Sequence, residues 1–575
     1  MSKPNSVNLS PAAWPRGEYE RWMAAQNVDR TSAGEARGRN GAVTVAYNGL
    51  AARAGLEALK QGGTAVDAAL TAALAQVALT AGAPISYFGI MSLVYFEAAT
   101  GKVHTMNAEW NTVRGETEPL TIPGGFDFSS ADALRGKGDP SGRTALVGGF
   151  MKGVGEAHRR FGRLPFASLF EPSIYICEHG MPVTALVAEQ IAFRKNDLAR
   201  RADTRSIFYK GDGGIYREGD LFRQPQAAQT LRTVAAQGAD YFYTGAWAEK
   251  LVREVQAEGG RMTLDDLKDY QVLWSDAQVA ELPGGYSLHM PPHPNAGTIN
   301  LIEALNLAEA AKLADDGPWW KSGTSLRKAV EITSQMMAMF LPDAMLAQIY
   351  PGLDLSPQAR VTPAHAQELW KRMQAGAKLA RFAPAPPRHS DDVVAVDAAG
   401  NMAAITHSIN TVFWGKTAIF IDGISISDAA SFQQAQIAKV QPGERLPAPT
   451  ETGVLFKDGK PHLAFASMGA GLHQRSFQGL FNVMRFGMSV PEAINAPDFY
   501  MPTTDPKTYT STLAVPGGRF PKQVLDETGL AWREVPLAEA RLGGEGKWVA
   551  ISRDARTGQL EAASHNRNNS DACAY

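Results

Sequence analysis

Residues 384–410 have the sequence PAPPRHSDDVVAVDAAGNMAAITHSIN. A stiff Ala/Pro segment leads into two apolar runs, 393–396 and 402–405, which a turn containing Gly400-Asn401 separates. The alternation of apolar residues and the Gly-Asn turn predict a β-hairpin. Ser390 then lies where the linker meets the first strand of this hairpin.

The position of Ser390 suggests a specific chemistry. If the chain is cut between His389 and Ser390, a hydroxyl nucleophile and a free α-amine lie on the same residue. This pairing activates a weak nucleophile without a separate base residue. An α-amine has an ordinary pKa of about 8, so it can accept the hydroxyl proton close to neutral pH. The sequence therefore predicts a cleavage site at 389–390 and a nucleophile at Ser390.

The composition restricts the class of protein. Apolar residues make up 45% of the 575 residues and charged residues 20%, as in ordinary globular proteins. A net charge of −2 gives no indication of a nucleic-acid or anionic-membrane partner. Two cysteines, Cys177 and Cys573, argue against a disulfide framework and a cysteine-rich metal site. The N-terminus lacks the pattern of a signal peptide, and no apolar run is long enough to span a membrane, so we expect a cytoplasmic enzyme.

Hydrophobic periodicity outside the hairpin predicts alternating helices and strands. Helices are expected at 50–61, 65–79 and 473–486, and strands at 43–47, 91–96, 102–106, 417–421, 452–456 and 462–466. A helix-rich region extends from about 144 to 380, and its clearest linker is 383–388. Strands flanked by helices in this order indicate a layered α/β protein.

Several blocks of the chain resemble, in the same order, the γ-glutamyltranspeptidase family of N-terminal-nucleophile hydrolases. They are GLEALKQGGTAVDAALTAAL (55–74), LVGGFMKGVGEAHRRFGRLPF (146–166), FYTGAWAEKLVREVQAEGGRMTLDDLKDY (242–270), MPPHPNAGTINLIEALN (290–306), VVAVDAAGNMAAITHSINTVFWG (393–415) and FGMSVPEAINAPDF (486–499). The resemblance extends from about residue 41 to 575. It implies a four-layer αββα sandwich, with no organic cofactor and no metal.

The resemblance also implies that the chain is a precursor that cuts itself. In the family the new N-terminal residue, usually threonine, lies seven positions before the aspartate of a VVDxxGN-like turn. Here that aspartate is Asp397, and seven positions before it is Ser390. The products would be a large fragment, 1–389, and a small fragment, 390–575, intertwined in one globular domain. A dimer of the processed unit is a further expectation.

The family pattern assigns supporting roles to four residues near the nucleophile. Ser408 and Asn410 match a Thr-x-Asn pattern whose polar groups hydrogen-bond the nucleophile region. Gly469-Ala470 matches a Gly-Gly pair whose backbone N–H groups form the oxyanion hole. Alanine still presents an N–H group, so the hole can survive this exchange.

The sequence departs from the family where the γ-glutamyl group would bind. The segment 446–450, Leu-Pro-Ala-Pro-Thr, lacks both serines of the family's PLSSM-like segment. The aspartate that binds the α-amine aligns with Ser431, although Asp428 could take its role. The arginine that binds the α-carboxylate aligns with Glu109, or with Arg114 if an insertion is allowed. Trp414 either lines the substrate pocket or packs in the core.

Asp391 and Asp392 follow the nucleophile directly and leave two alternatives. Two carboxylates would raise the pKa of the α-amine and weaken it as a base. Alternatively, they would bind a polar substrate.

Together these features predict a self-processing amidohydrolase. Ser390 forms an acyl-enzyme with a small-molecule amide, and hydrolysis or acyl transfer follows. The acyl group is expected to differ from ordinary γ-glutamyl, because charge-assisted contacts discriminate most strongly and their residues are replaced. One alternative is a true γ-glutamyltransferase or glutathione hydrolase with a rebuilt clamp, in which other residues bind the α-carboxylate and the α-amine of the glutamyl group. Another is an uncleaved, inactive binding homologue.

Overall fold

A computed structural model describes residues 7–28, 30–125, 138–341, 343–377, 379, 390–469, 471–505, 507–536 and 546–575. The predicted linker 383–388, His389 and Ala470 lie outside the described residues. The α-helices are α1 Glu18–Ala24, α2 Gly49–Lys60, α3 Ala65–Leu79, α4 Phe150–Phe161, α5 Glu171–His179, α6 Ala185–Leu198, α7 Ala202–Phe208, α8 Pro225–Gln237, α9 Tyr241–Thr244, α10 Ala246–Ala257, α11 Leu264–Lys268, α12 Ala296–Ala310, α13 Gly323–Gln335, α14 Asp343–Ile349, α15 Pro357–Arg360, α16 Pro363–Gln374, α17 Gln434–Ile437, α18 Leu472–Phe486, α19 Val490–Asn495 and α20 Lys522–Glu527.

The strands are β1 Glu35–Gly38, β2 Gly41–Val45, β3 Ile90–Glu97, β4 Lys102–Ala108, β5 Met181–Pro182, β6 Leu221–Phe222, β7 Leu273–Asp276, β8 Gln278–Leu282, β9 Tyr286–Met290, β10 Ser390–Asp397, β11 Met402–Ser408, β12 Ile419–Ile421, β13 Ile424–Ile426, β14 Glu451–Lys457, β15 Lys460–Met468, β16 Tyr500–Thr504, β17 Ser511–Pro516, β18 Ala531–Val535, β19 Lys547–Arg553, β20 Leu560–Ala563 and β21 Asp571–Ala574.

Two seven-stranded sheets form the centre of the described structure. The first sheet has the strand order β21-β2-β10-β11-β3-β4-β7, and the second has the order β1-β20-β19-β15-β14-β9-β8. Every neighbouring pair within these two sheets is antiparallel. Strands β10 and β11 form the predicted hairpin, at the centre of the first sheet.

Both hairpin strands are buried along their whole length, and their side chains point alternately into two different apolar cores. Val394 and Val396 point into a core between the two sheets. Val393 and Ala395 point to the opposite face, where helices α2 and α3 pack. Helices α12 and α18 cover the outer face of the second sheet. The four layers therefore confirm the predicted αββα sandwich.

Asp397 holds the hairpin turn and connects it to helix α3. Its carboxylate accepts hydrogen bonds from the backbone N–H groups of Ala399, at 3.0 Å, and Asn401, at 3.1 Å. It also accepts one from the backbone N–H of Ala65, at 3.0 Å, in the first turn of α3. Gly400 has φ +86°, which glycine adopts without strain. This local network explains why the turn fixes the register of the strand that begins at Ser390.

The predicted helices and strands agree with the observed ones to within a few residues. Helix α3 begins as expected, because Thr64 and Asp67 form a reciprocal capping box. None of the described helices is both long and apolar enough to cross a membrane.

Candidate active site

Ser390 and Ser408 face each other at one end of the hairpin. They are directly opposite in the register of β10 and β11, and the Ser390 hydroxyl donates a hydrogen bond to Ser408 Oγ at 2.8 Å. Both side chains point to the inter-sheet side, like Val394 and Val396. Ser390 is only 8% exposed. The pairing therefore holds the Ser390 hydroxyl in one place.

Asn410 supports this pair through its backbone. Its N–H donates to Ser408 Oγ at 3.0 Å, and its φ of +51° lies in the left-handed region. The following turn is held by Asp428, whose carboxylate accepts from the Thr411 hydroxyl at 2.6 Å and from the Lys416 N–H at 2.7 Å. Both carboxylate oxygens of Asp428 are therefore occupied within the turn.

The same end of the sandwich brings residues of both sheets together. Ser92 Oγ, in the first sheet, lies 3.5 Å from Thr452 Oγ1, in the second. Strand β15 also ends here, and Gly469 follows it directly with φ +85°. The predicted nucleophile and Gly469, the first residue of the predicted Gly-Ala pair, thus lie at the same end of the sandwich. The geometry of Ala470 is outside the described residues.

Lys547 is a polar residue at this end of the sandwich, and no sequence pattern indicated it. It is 5% exposed, and its Nζ donates to the Ala46 carbonyl at 2.8 Å. The ammonium also lies 3.1 Å from the centre of the Tyr47 ring. Its position results from the pairing of β19 with β15, which no local pattern predicts.

Asp391 and Asp392 are fully buried on opposite faces of β10. Asp391 accepts the Tyr47 N–H at 3.1 Å, and Asp392 accepts the Thr406 hydroxyl at 2.6 Å. Burial raises the pKa of both carboxyl groups well above the ordinary range, and for Asp391 the neighbouring Asp392 raises it further. A raised pKa reduces the negative charge that this pair carries at a given pH, which counts against the first alternative for it.

His407 lies next to Ser408 in sequence but points to the helix layer. Its Nε2 is 2.8 Å from Gln76 Oε1, and burial lowers its pKa to about 3. A neutral imidazole on the opposite face of the strand supports α3 and is positioned away from Ser390.

Glu109 follows the end of β4 and is 2% exposed. Its Oε1 accepts a hydrogen bond from the Thr450 hydroxyl at 3.2 Å, and Asn295 Nδ2 donates to the same hydroxyl at 3.0 Å. Burial raises the pKa of Glu109 to about 7, although the Arg445 charge and the Thr450 hydroxyl oppose this shift. A buried carboxyl group therefore occupies one of the two positions, Glu109 and Arg114, that the resemblance allows for the family's arginine.

The other residues predicted to bind substrate lie in different environments. Arg114 is half exposed and forms an ion pair with Asp269 at 2.7 Å. Ser431 is buried, and its carbonyl accepts the Gly125 N–H at 2.6 Å. Trp414 is fully buried, and its indole N–H donates to the Ala81 carbonyl at 2.8 Å. The structure thus connects Ser390 and Asn410 through their hydrogen bonds to Ser408 Oγ, whereas Arg114, Ser431 and Trp414 contact other parts of the chain.

Within the described ranges, no group of three or more His, Cys, Asp or Glu side chains could hold a metal ion. The described arrangement offers a hydroxyl held by a hydrogen bond at a strand end, with Gly469 at the same end of the sandwich. A positioned hydroxyl is the group that serine-type acyl transfer uses as its nucleophile.

Comparison with known proteins finds relatives that match most of the chain. The family model described as gamma-glutamyltranspeptidase matches residues 51–575. The chain is 26% identical over 472 residues to glutathione hydrolase 3 of Arabidopsis thaliana, covering 78% of this chain and 70% of that protein. It is 27% identical over 477 residues to the acylase ACY 1 proenzyme of Pseudomonas sp. (strain SE83), covering 80% and 82%.

The crystal structure of cephalosporin acylase from Bacillus halodurans superposes with a TM-score of 0.74 at 22% identity, covering 94% of this chain and 97% of that one. This likeness shows the fold. The family model covers most of the chain. The chain therefore belongs to the γ-glutamyltranspeptidase family, whose members are N-terminal-nucleophile amidohydrolases and acyltransferases.

Proposed function

We propose that the chain cuts itself before Ser390 and then hydrolyses, or transfers, the acyl group of a small amide other than an ordinary γ-glutamyl compound. The observation that carries this proposal is the Ser390 hydroxyl, held 2.8 Å from Ser408 Oγ at the start of a central strand. The proenzyme names of the relatives in Bacillus subtilis and Pseudomonas support the cleavage.

The cleavage follows from the same hydroxyl. Ser390 Oγ attacks the carbonyl carbon of His389, and the peptide nitrogen takes a proton and becomes the free amine of Ser390. Water then hydrolyses the resulting ester, which releases the His389 carboxylate and regenerates the hydroxyl. The chain thereby gains its own base without any added group.

In the cut protein, the Ser390 amine accepts the proton of the Ser390 hydroxyl as Oγ attacks the substrate amide. The tetrahedral oxyanion is stabilised by the N–H groups predicted at Gly469 and Ala470, and each such donor contributes about 3–4 kcal/mol to lowering the barrier. Proton return to the leaving amine breaks the C–N bond and leaves an ester on Ser390. Water or an acceptor amine then removes the acyl group.

The residues at the family's γ-glutamyl clamp support a different acyl group. Ala448 and Pro449 carry no hydroxyl, and Glu109, which the alignment without gaps matches to the family's arginine, is acidic. A γ-glutamyl α-carboxylate facing Glu109 would meet repulsion in place of a bidentate ion pair.

The proposed activity is tested by intact-protein mass spectrometry after incubation with a library of small amides. We expect at least one amide to leave an acyl adduct that peptide mapping places on Ser390. Glutathione and γ-glutamyl anilides serve as the matched comparison, and we expect them to be turned over at least about 100-fold more slowly than the best library amide, because two charge-assisted contacts are lost. Rapid turnover of the γ-glutamyl compounds would contradict the claim that the acyl group differs from γ-glutamyl. An adduct at another residue would contradict the claim that Ser390 is the nucleophile.

A further inference from the structure

Glu109 directly follows strand β4, at the end of the first sheet where the predicted nucleophile also lies. Ser390 pairs with Ser408, Ser408 pairs with Ile90, and Met91 pairs with Ala108. Extending the β3–β4 register by one residue beyond the end of β4 places Glu109 opposite Ile90. Three strand spacings of about 4.8 Å therefore separate Ser390 and Glu109, or about 14 Å between their Cα atoms. Because paired residues share a face, both side chains point between the two sheets.

One oxygen of this buried carboxyl group is unused. Oε1 accepts the Thr450 hydroxyl, whereas Oε2 has no hydrogen-bond partner among the described residues. A buried acceptor without a partner costs free energy, so a donor that reaches Oε2 would bind favourably. The position is therefore suited to a ligand group that donates a hydrogen bond.

The nearby cation is already bound by neutral acceptors. Arg445 donates to Asn111 Oδ1, to the carbonyl and Oδ1 of Asn107 and to the Gln271 carbonyl, each at 2.6 Å. Its charge lowers the pKa of Glu109 through space. Among the described side chains, no ion pair joins Arg445 to Glu109, so the carboxyl group keeps its acceptor capacity.

A large groove reaches the neighbours of Glu109. It encloses about 790 Å³, and its lining includes Ala296, Pro447 and Pro449. Ala296 and Pro449 are the sequence neighbours of Asn295 and Thr450, the two side chains that connect to Glu109 by hydrogen bonds. Neither Ser390 nor Glu109 lines this groove, so a substrate that joins them has to extend from the groove past Thr450.

We propose that Glu109 determines specificity by accepting a hydrogen bond from an ammonium group at the far end of the substrate's acyl chain. The inference rests on the proposed function, because it assumes that the acyl carbon is bound to Ser390. An ester bond, an extended six-carbon aminoacyl chain at about 1.2 Å per bond and one hydrogen bond span about 11–12 Å. This length is about 2–3 Å shorter than the Cα separation, a difference that the reach of the Ser390 and Glu109 side chains has to supply. The acyl class is therefore an ω-aminoacyl group, opposite in charge to a carboxylate-ended one.

The test uses three 4-nitroanilides with chains of matched length: 6-aminohexanoyl, hexanoyl and the monoanilide of adipic acid. With the unmodified protein we expect kcat/KM to be at least about tenfold higher for the aminohexanoyl compound than for hexanoyl, and lowest for the adipic compound. Glu109→Gln keeps the size of the side chain and removes its charge. This variant should lose the preference for the amine, so that the ratio of kcat/KM between the aminohexanoyl and hexanoyl compounds falls to about one.

Glu561→Gln is the matched control, because Glu561 pairs with the exposed Arg37 in strands β1 and β20. This control should keep the full preference for the amine. An equal or reversed preference in the unmodified protein, or a preference that Glu109→Gln retains, would overturn the proposal.

Calorimetric binding of 6-aminohexanamide and hexanamide separates this proposal from the proposed function. If no anilide is cleaved, tighter binding of the amine that Glu109→Gln abolishes still supports the role of Glu109 and counts against the proposed activity. Equal binding of the two amides overturns the role of Glu109, whatever the activity. Cleavage of all three anilides at similar rates supports the activity and overturns the specificity.

Discussion

Ser390→Ala is expected to abolish both chain cleavage and amide turnover. The hydroxyl is required to attack the His389 carbonyl, and the same oxygen later carries the acyl group. Loss of a catalytic nucleophile typically lowers kcat by at least about 10⁴-fold. We therefore expect a single polypeptide of 61.8 kDa on a denaturing gel and no release of product above the rate without enzyme.

Ser390→Thr is the matched control, because it keeps a hydroxyl and adds the methyl group that the family usually carries there. It should be cut and should turn over the same amides, and a circular dichroism melt should show that all three proteins fold. Activity or cleavage in Ser390→Ala comparable to the unmodified protein would show that Ser390 is a structural residue of the hairpin.

Asp498→Ala is expected to cause the largest loss of stability among the single changes considered. Asp498 forms ion pairs with Arg475 and with Arg567, the latter at 2.8 Å, and both arginines are at least nine-tenths buried. Through Asp498, these two ion pairs connect Arg475 in the first turn of α18 to Arg567 in the loop before β21. Removing the acidic partner leaves two buried guanidinium groups without their counter-ion, which typically costs about 3–5 kcal/mol in the free energy of unfolding.

This loss also bears on the active site, because α18 begins directly after Gly469-Ala470-Gly471. Urea denaturation measures the change in stability, and Asp526→Ala provides the control. Asp526 pairs with Lys522 on the surface, where an ion pair contributes at most about 1 kcal/mol. If Asp498→Ala costs no more than Asp526→Ala, the buried ion pairs do not hold α18 in place.

The acid dependence of this contribution has a definite sign. Burial alone would raise the pKa of Asp498, but Arg475 and Arg567 outweigh it and lower the pKa. Its contribution to stability is therefore present above the pKa of an unfolded aspartate and is lost as the pH falls through the folded value. Asp498→Ala should accordingly differ less from the unmodified protein in acid than at pH 7.

The hairpin and helix α3 were predictable because their determinants are local. The Asp397 turn and the Thr64 capping box each involve residues within a few positions of one another. The run 393–396 is apolar on both faces, as expected for a strand buried between two layers. Together with the resemblance, these signals predict Ser390 and Ser408 as site residues.

The rest of the site depends on pairings between distant parts of the chain. Lys547 reaches Ala46 only because β19 pairs with β15 and the two sheets stack. Glu109 contacts Thr450 across 341 residues, so its burial and its unused oxygen were invisible in the sequence. The hydrogen bond from the Thr411 hydroxyl to the Asp428 carboxylate also joins residues that are separated in sequence, in this case by 17 positions. No local pattern therefore indicated that this carboxylate is already bound.

The central claim, scission between residues 389 and 390, is tested most directly by the intact mass and N-terminal residue of purified protein. The account predicts two fragments of about 42 and 20 kDa, by their share of the 61.8 kDa chain, the smaller beginning with Ser390. A folded sample that remains one polypeptide and still turns over amides would contradict it.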